Sequence, residues 1–483
     1  MNNLPQMPAH GQSKEQVIAQ MQAARAHDLK WQEGRVFSLV FSAGNEAADL
    51  LKEAYTLFMS ENALNPTAFP SLRRFETDVI SMSATLLGSQ GNVVGNMTSG
   101  GTESILMAVK TARDWARARQ PQRQPPEMIL PISAHPAFDK AASYFDVRPV
   151  RIPLGPDLCA DLPAMRAAIS PRTILLVGSA PSYPHGVVDP ITDIAALALE
   201  HGLLCHVDAC VGGFMLPFVR QLGYDVPDFD FRVPGVTSLS ADLHKYGYAA
   251  KGASLILYHH RDLRRYQLHA YTDWPGGIYA SPTMAGTRPG GAIAAAWAIM
   301  NYLGQDGYLQ IAREVMQTTT TLRQGINAIP GIHVMGSPPM SLMAIGADKV
   351  DIYQVGDEMT ARGWHLDRQQ FPPTLHLTVN HLHAGREEAF LADLAAAAAA
   401  ARKPSLQKWG NRLALASARA ATKLLPAALV SKLTGKASSL VGGGDAGIPT
   451  RSAAMYGMMG SLPNRGDLKE VVLDLVEQFT QPP

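Results

Sequence analysis

The sequence has few of the features that direct a protein out of the cytosol. It contains 483 residues but only three cysteines, Cys159, Cys205 and Cys210. Such a sparse and odd set is typical of reduced thiols rather than of a disulfide framework. Residues 1–35 are polar and Gln-rich, without the apolar segment of a secretory signal. We therefore expect a soluble, cytoplasmic protein.

Long apolar runs and an excess of charge are also missing. No run reaches the roughly 18 uncharged apolar residues of a spanning helix, and the apolar stretch 291–303 is short enough for a buried core helix. The net charge of +1 argues against nucleic acid as the main partner, because phosphate binding needs a basic surplus. No cysteine has a histidine at metal-ligand spacing, so we predict no metal site.

The sequence does contain the composition of a globular enzyme and a regular alternation of strands and helices. Hydrophobic residues make up 46% and charged residues 17%, which excludes global disorder. We predict helices at 103–118 and 191–201 and strands at 173–179, 203–208, 235–240 and 253–258. This alternation predicts an α/β fold with a mostly parallel sheet, whose binding sites lie beyond the carboxyl ends of the strands.

The order of the predicted elements divides the chain into three regions. Residues 1–60 form an N-terminal arm with helices near 13–30 and 45–60, and residues 61–305 form a large domain. Residues 306–483 form a smaller α+β domain with helices at 306–328, 351–363 and 385–402 and strands at 331–335, 341–346 and 374–380. A basic excursion from this domain spans 402–447 and ends in a glycine-rich loop.

A lysine in the run SLSADLHKYGYAAKGAS (238–254) is the strongest indication of chemistry. A His-Lys pair after a short apolar strand, followed by Gly247 and Gly252, suits a Lys245 held between a strand and a turn. Its amine could form a Schiff base with an aldehyde, which needs a nucleophilic lysine with a depressed pKa. The alternative is a surface lysine, the commonest position of that residue.

Two further features favour a reactive lysine. Asp208 ends an apolar strand in HVDAC (206–210), where a buried carboxylate can hold the proton of a pyridine nitrogen. The glycine-rich turn TSGGTES (98–104) leads into a helix with Thr102 as predicted N-cap, and such a helix start binds phosphate. Together these are the requirements of pyridoxal phosphate. Taken alone, Asp208 could simply terminate a strand, and a Gly-Gly-Thr turn opens many helices.

Four other side chains are candidates for the same site. His135 follows the strand-like segment 128–132, where an imidazole can stack on an aromatic cofactor and exchange protons. A histidine satisfied within a loop is the alternative. His244 could donate to a phosphate, and Tyr183 and Lys251 are candidates for proton transfer or anion binding because they flank the predicted cleft.

Five longer motifs resemble those of the sphingosine-1-phosphate lyase family: NMTSGGTESILMAVKTAR (96–113), APSYPHGVVDPI (180–191), HVDACVGGFMLP (206–217), SLSADLHKYGYAAKGAS (238–254) and YTDWPGGIYASPTMAGTRPGG (271–291). The likeness is dense over residues 60–305, and Tyr456-Gly-Met458 also fits. The run HKYGYAAKG is of the lyase type, whereas amino-acid decarboxylases carry an HKW-type run. The resemblance implies the type I (aspartate-aminotransferase-like) fold of pyridoxal-phosphate enzymes and a homodimer with active sites at the subunit interface.

The resemblance also implies a role for each motif residue. Lys245 corresponds to the Schiff-base lysine, Asp208 to the partner of the pyridine nitrogen and His135 to the residue that stacks on the ring. The positions that correspond to the phosphate side are Gly101, Thr102 and His244. Tyr183 and Lys251 correspond to residues near the substrate.

Two positions depart from the family pattern. Family members usually carry a Tyr-His pair in the N-terminal arm, where this chain has Val40-Phe41-Ser42. They also carry Asn-x-Leu-His-Pro, where this chain has Asn62-Ala-Leu-Asn65-Pro66. Both positions are expected to help hold the substrate's phosphate. The substrate-binding candidates are therefore Phe41, Asn62, Asn65 and Tyr456.

These patterns predict a pyridoxal-phosphate-dependent aldehyde-lyase. The expected substrate is a phosphorylated sphingoid base, sphingosine 1-phosphate, cleaved between carbons 2 and 3 to a long-chain aldehyde and phosphoethanolamine. The enzymatic alternative is an amino-acid decarboxylase, which shares the Asp, His and Lys set. The non-enzymatic alternative is a binding protein that retains the fold, as the substitutions at Phe41 and Asn65 would allow.

The segment 402–436 has an unusual charge pattern. It carries eight Lys or Arg residues among Ala and Leu and contains no acidic residue. This composition suits a pair of interfacial helices, broken at Pro426, that contact an anionic membrane. A solvated helical excursion of the small domain is the alternative, because charged faces usually meet water.

Overall fold

The computed structural model of the protein describes residues 6–403 and scattered positions between 469 and 480. The helices are α1 (Lys14–Ala24), α2 (Asn45–Leu57), α3 (Pro70–Leu86), α4 (Gly101–Arg119), α5 (Ala137–Phe145), α6 (Leu162–Ala167), α7 (Ile191–Glu200), α8 (Leu216–Gln221), α9 (Arg261–Arg264), α10 (Gly290–Ala328), α11 (Ile352–Ala361) and α12 (Glu387–Arg402). The strands are β1 (Val94–Thr98), β2 (Glu127–Pro131), β3 (Arg148–Ile152), β4 (Thr173–Ser179), β5 (Leu204–Asp208), β6 (Ser238–Ala241), β7 (Ser254–Tyr258), β8 (His269–Trp274), β9 (Gly277–Ser281), β10 (Ile332–Val334), β11 (Leu342–Ala347), β12 (Asp367–Gln369) and β13 (Thr374–Thr378).

A seven-stranded sheet forms the centre of the large domain, with the order β1-β7-β6-β5-β4-β2-β3. Strands β2 to β6 run parallel, whereas β7 is antiparallel to both of its neighbours. Strands β2, β4, β5, β6 and β7 are buried along their whole length. Continuous burial is typical of strands covered by helices on both faces. The predicted mostly parallel sheet is confirmed.

A second sheet lies in the C-terminal half and is antiparallel, with the order β10-β11-β13-β12. The two helices expected at 291–303 and 306–328 form one element, α10, with a kink at Gly304 (φ 54°). The short strand β12 and the hairpin β8–β9 were not predicted. The hairpin is largely exposed, so it lacks the alternating burial that makes a strand visible in a sequence.

The N-terminal arm packs on the small sheet. Phe37 is buried in the same core as Trp364 and Phe390, and its backbone N–H donates to the carbonyl of His365 at 3.1 Å. The backbone N–H of Thr378 donates to the carbonyl of Phe37 at 2.8 Å. Residues 36–41 are therefore held against β13. The kink at Gly304 falls beside the proposed domain boundary at 305, and the division of the chain remains a prediction.

Some of the predicted features lie outside the described residues. They are Tyr456, most of the basic stretch 402–436 and the glycine-rich loop 442–447. Within the described part of the chain, none of the helices has the length and apolar character needed to cross a membrane.

Candidate active site

A cavity of about 840 Å³ opens at the carboxyl ends of β4, β5 and β6. Nine of the predicted site residues line it: Phe41, Gly101, Thr102, His135, Tyr183, Asp208, His244, Lys245 and Lys251. These residues come from segments spread over 210 positions of the chain, and the sheet brings them together because parallel strands end at one edge.

The amine of Lys245 is paired with a carboxylate that the sequence analysis did not select. Lys245 Nζ lies 2.9 Å from Asp242 Oδ2, and the Asp242 side chain is only 2% exposed. Burial is the largest single influence and would lower the pKa of Lys245, but the charge and hydrogen bond of Asp242, together with the neighbouring Cys210 and Asp208, outweigh it and the pKa is raised. The depressed pKa expected for this lysine is therefore not found. In this structure Lys245 is an ammonium ion held in place by its counter-ion.

A chain of buried hydroxyl groups supports Asp242 from behind. Ser254 Oγ donates to Asp242 Oδ1 at 2.6 Å, and Ser254 Oγ lies 2.8 Å from Ser104 Oγ. Ser104 Oγ lies in turn 2.6 Å from Thr98 Oγ1. Burial would raise the pKa of Asp242, but Lys245, His244 and Ser254 favour its charged form and the net shift is downward. The orientation of Lys245 thus depends on residues from β1, α4 and β7.

Asp208 is the last residue of β5 and is 7% exposed. Its Oδ1 accepts the backbone N–H of Cys210 at 3.1 Å and the hydroxyl of Ser240 at 3.2 Å. These two donors fix the plane of the carboxylate at the floor of the cavity. Such a carboxylate can hold a proton on a ring nitrogen, because opposite charges attract strongly in a poorly solvated site.

The start of α4 forms one end of the cavity. The helix begins at Gly101 with Gly100 as N-cap, so the prediction that Thr102 is the N-cap was wrong and Thr102 lies in the first turn. A Cβ at Gly101 would lie 2.8 Å from both Asp242 Oδ2 and Cys210 Sγ, so only glycine fits without displacing them. The unpaired N–H groups of this turn can bind an anion.

Two more residues complete that end of the cavity. Glu103 Oε2 accepts the backbone N–H of Ser99 at 2.6 Å, and its Oε1 accepts the backbone N–H of Met284 at 2.9 Å. Glu103 thereby ties the turn before α4 to the segment after the hairpin. His244 Nδ1 is buried and, among the described residues, lacks a hydrogen-bond partner, as expected of an atom whose partner is a bound group.

His135 lies on the exposed side of the cavity, in the turn before α5. Its Nδ1 accepts the backbone N–H of Ala137 at 3.1 Å, so in the neutral imidazole the proton is on Nε2. This hydrogen bond sets the orientation of the ring toward the cavity. A ring held in this way can cover a flat aromatic group.

Tyr183 follows β4 and reaches across to the small sheet. Its hydroxyl donates to Asp367 Oδ2 at 3.0 Å, and its ring stacks on His376 with centroids 4.2 Å apart. Burial and the neighbouring Asp367 carboxylate raise the pKa of Tyr183. At neutral pH the Tyr183 phenol is therefore protonated.

Lys251 and Phe41 contact each other at the mouth of the cavity. Lys251 Nζ donates to the carbonyl of Leu39 at 2.9 Å and lies 5.7 Å from the centre of the Phe41 ring. The Phe41 ring also packs edge-on against Tyr246 at 4.8 Å. The arm segment 36–41 is thus attached to the loop that carries Lys245.

Asn62 and Asn65 do not line this cavity. Asn62 Oδ1 accepts the backbone N–H groups of Leu64 and Arg288. Asn65 is exposed, and its Oδ1 accepts from the backbone and hydroxyl of Thr67 at 2.9 and 2.7 Å. Their proposed part in substrate binding remains a prediction.

The residues of the cavity fit pyridoxal phosphate. One cavity is lined by the lysine amine, the strand-end carboxylate of Asp208 and the helix start at Gly101. The buried His244 Nδ1 has no hydrogen-bond partner among the described residues, so it can bind the phosphate. Among the described residues, no group of three or more His, Cys, Asp or Glu side chains is arranged to bind a metal ion.

Sequence reasoning missed Asp242, Glu103 and Asp367. Asp242 precedes Lys245 by three residues, so its proximity could have been inferred from the turn that follows β6. Asp367 gives no such signal, because the two hydroxyls that it accepts belong to Tyr183 and Ser38, each more than 180 positions away.

Comparisons with known proteins identify the family of the chain. Residues 2–345 match the pyridoxal-dependent decarboxylase conserved domain. A sphingosine-1-phosphate lyase from Oryza sativa subsp. japonica is 46% identical over 397 residues, which cover 80% of this chain and 73% of the relative.

Solved structures give the same result. The sphingosine-1-phosphate lyase of Burkholderia pseudomallei superposes with a TM-score of 0.80 at 40% identity, covering 83% of this chain and 93% of that chain. A glutamate decarboxylase of Lactobacillus brevis superposes with a TM-score of 0.72 at 17% identity, covering 84% of this chain and 97% of that chain; this likeness shows the fold alone. With the type I fold, the pyridoxal-phosphate site and these identities in place, the chain belongs to the sphingosine-1-phosphate lyase family of pyridoxal-dependent enzymes.

Proposed function

We propose that the protein cleaves the bond between carbons 2 and 3 of a phosphorylated sphingoid base, such as sphingosine 1-phosphate. The products are a long-chain aldehyde and phosphoethanolamine. The observation that carries this proposal is the meeting of Lys245, Asp208 and the start of α4 in one cavity, in a chain 46% identical to a sphingosine-1-phosphate lyase.

Pyridoxal phosphate supplies an aldehyde that binds amines and a ring that accepts the electron pair released when a bond to the amine-bearing carbon breaks. The residues of this chain hold that group in a fixed position. Lys245 would hold the group through its amine, Asp208 would keep a proton on the ring nitrogen, and His135 would lie against the ring. The N–H groups at Gly101 and Thr102, with His244, bind the phosphate.

The opposite side of the cavity selects the bond that breaks. Tyr183 and Lys251 lie where the substrate's polar groups must pass, and they orient the carbon-3 hydroxyl and the substrate phosphate. Positioning by these residues would align the bond between carbons 2 and 3 for cleavage. A base would take the proton of the carbon-3 hydroxyl as the aldehyde forms, and carbon 2 would take up a proton before the product departs.

Incubation of the purified, cofactor-loaded protein with sphingosine 1-phosphate tests the proposal. We expect a long-chain aldehyde and phosphoethanolamine in equal amounts, and no carbon dioxide from a panel of amino acids. Asp208→Asn is the matched variant: a neutral amide cannot hold the ring proton, so turnover falls by roughly 10²–10³-fold while the fold and bound cofactor persist. Release of carbon dioxide from an amino acid without aldehyde formation would favour the decarboxylase instead.

We further infer that the protein works as a homodimer and that the basic stretch 402–436 contacts anionic membrane. The first inference is supported by membership of the family, and the second by eight basic residues without an acidic one. Binding to anionic liposomes should be sensitive to salt and should disappear when Arg412, Arg419 and Lys423 are changed to Gln. Turnover of a short soluble substrate should be unaffected. If wild-type protein does not bind such liposomes at low salt, membrane contact is contradicted.

A further inference from the structure

Asp367 is a carboxylate of the small sheet that reaches the wall of the active-site cavity. It is the first residue of β12, and its two oxygens contact three different parts of the chain. Oδ2 accepts the hydroxyl of Tyr183 at 3.0 Å, and Oδ1 accepts the hydroxyl of Ser38 at 3.2 Å. His365 Nε2 lies 3.4 Å from Oδ1. The large domain, the arm and the small sheet thus meet at one side chain.

The ring of Tyr183 is fixed from its other side by His376. The two rings stack with an angle of 30° between their planes. His376 Nδ1 lies 3.2 Å from Gln369 Nε2, and its Nε2 lies 2.8 Å from Thr378 Oγ1. Because the Gln369 amide nitrogen can only donate, His376 Nδ1 accepts and its Nε2 carries the proton. Burial lowers the pKa of His376, so this histidine stacks on Tyr183 as a neutral ring.

The hydrogen bond to Asp367 decides what the Tyr183 oxygen can offer to the cavity. A phenol has one proton and accepts through its lone pairs. An ionised carboxylate can only accept, so the Tyr183 proton is committed to Asp367. On the side of the cavity, the Tyr183 oxygen therefore offers only a lone pair, which is a hydrogen-bond acceptor.

We propose that Asp367 is a positioning residue that commits the Tyr183 proton and thereby makes the Tyr183 oxygen the acceptor for the substrate's carbon-3 hydroxyl. This inference rests on the proposed function, in which that hydroxyl must be held as its proton leaves. An amino acid with a carboxylate at the same place would bring one hydrogen-bond acceptor against another, the Tyr183 oxygen. The negative charge of Asp367 behind Tyr183 would repel the carboxylate further. The arrangement thus selects a hydroxyl-bearing amine and disfavours the substrates of a decarboxylase.

The test uses the cofactor-loaded enzyme and two matched ligands. One is a phosphorylated sphingoid base, and the other is its analogue without the carbon-3 hydroxyl, assayed as a competitive inhibitor. In Asp367→Leu the Tyr183 proton is no longer committed, so kcat/KM for the hydroxylated substrate should fall at least about tenfold. The inhibition constant of the deoxy analogue should stay within about twofold, because that ligand never used the Tyr183 oxygen.

The pH profile gives a second readout. Removing Asp367 takes away one of the causes that raise the pKa of Tyr183, so the alkaline limb of kcat/KM should move to lower pH in Asp367→Leu. The other titratable groups around this pair are His365, His376 and, behind His376, His185. Burial lowers the pKa of His376 and of His185, so a shift of the alkaline limb does not come from these two rings.

Two further variants control for changes in folding. Asp367→Asn keeps an oxygen that can accept from Tyr183 and should lose less activity than Asp367→Leu. Asp348→Asn removes the same charge from an exposed position of the small domain and should behave as wild type.

Three outcomes would count against these proposals. Equal weakening of both ligands in Asp367→Leu, with an unshifted pH profile, would show that Asp367 only supports the fold. Asp367→Leu with the same kinetics as the wild type would likewise overturn the inference. The proposed function would still stand if the wild-type enzyme cleaves the substrate. A wild-type enzyme that cleaves no phosphorylated sphingoid base would overturn the proposed function, and this inference with it.

Discussion

The active-site cavity has two walls of different origin. The large-sheet wall consists of Gly101, Thr102, His135, Asp208 and Lys245, at the ends of strands and the start of α4. The small-sheet wall consists of Ser38, Leu39, Phe41 and Thr378, with Asp367 behind it. The first wall is held by hydrogen bonds within one domain, such as those from Cys210 and Ser240 to Asp208. The second is held by contacts between distant segments, such as Ser38 with Asp367 and Val40 with Asn380, which join residues more than 300 positions apart.

This difference suggests that the two walls have different chemical roles. The large-sheet wall presents a cation, a carboxylate and a helix start, which are the groups that a phosphorylated ring requires. The small-sheet wall presents hydroxyls, an aromatic ring and an apolar side chain, with Leu39 at a φ of 68° and 61% exposed. We therefore expect the large-sheet wall to hold the cofactor, and the small-sheet wall, together with Tyr183 and Lys251, to influence which reaction takes place.

Loss of Lys245 should give the largest effect and tests the large-sheet wall. Lys245→Ala removes the amine that we propose to hold the cofactor, so turnover should fall roughly 10³-fold or more. In wild-type protein, which should be yellow, borohydride should fix the cofactor covalently to Lys245, as peptide mapping can show. Lys251→Ala is the matched control, since it removes another cavity lysine and should leave the label at Lys245. A label on any other lysine would contradict the assignment.

The two walls also differ in how far the sequence could predict them. Lys245, Asp208 and Gly101 stand in contiguous motifs whose strand or helix context follows from local pattern, and β4 was predicted with its observed bounds. Asp367 and Ser38 become functional only through tertiary contacts, and a three-residue strand such as β12 has too few residues to show a period. The hydrophobic pattern marks the strands of a sheet but carries no information on which distant loops cover its edge.

Asp242→Asn should have an intermediate effect and tests the stability of the large-sheet wall. The substitution leaves Lys245 as a poorly solvated cation without its counter-ion, so the free energy of unfolding of the cofactor-free protein should fall by about 3–5 kcal/mol. Because the pKa of Lys245 is raised, the stabilisation by the ion pair is fully present below pH 10.5, the ordinary pKa of lysine. It is lost as the pH rises through the raised pKa of the folded protein. Because the pKa of Asp242 is lowered, the same stabilisation is fully present above pH 3.8, the ordinary pKa of aspartate. It is lost as the pH falls through the lowered pKa of the folded protein.

Urea unfolding at neutral pH and near pH 3 would measure this contribution. The difference between Asp242→Asn and wild type should be large at neutral pH and should shrink in acid. Asp49→Asn breaks an exposed ion pair with Lys52 and should leave the free energy of unfolding nearly unchanged, because water already screens that pair. A neutral-pH difference as small as that of Asp49→Asn would mean that Asp242 does not hold Lys245.

The smallest expected effect concerns the small-sheet wall and its departures from the family pattern. Phe41 lines the cavity 5.7 Å from the Lys251 amine, so Phe41→Tyr places a phenol where it can donate to a substrate phosphate. One added hydrogen bond to a charged group is worth about 1.5–3 kcal/mol, and at the lower end of this range the apparent KM for sphingosine 1-phosphate should fall about tenfold. Asn65→His changes a position outside the cavity of its own chain, so alone it should lower the KM only if a second subunit brings that position to the site. Comparing the two single variants with the double variant separates these contributions. A KM that is unchanged or higher in Phe41→Tyr would show that this chain anchors the phosphate away from its small-sheet wall.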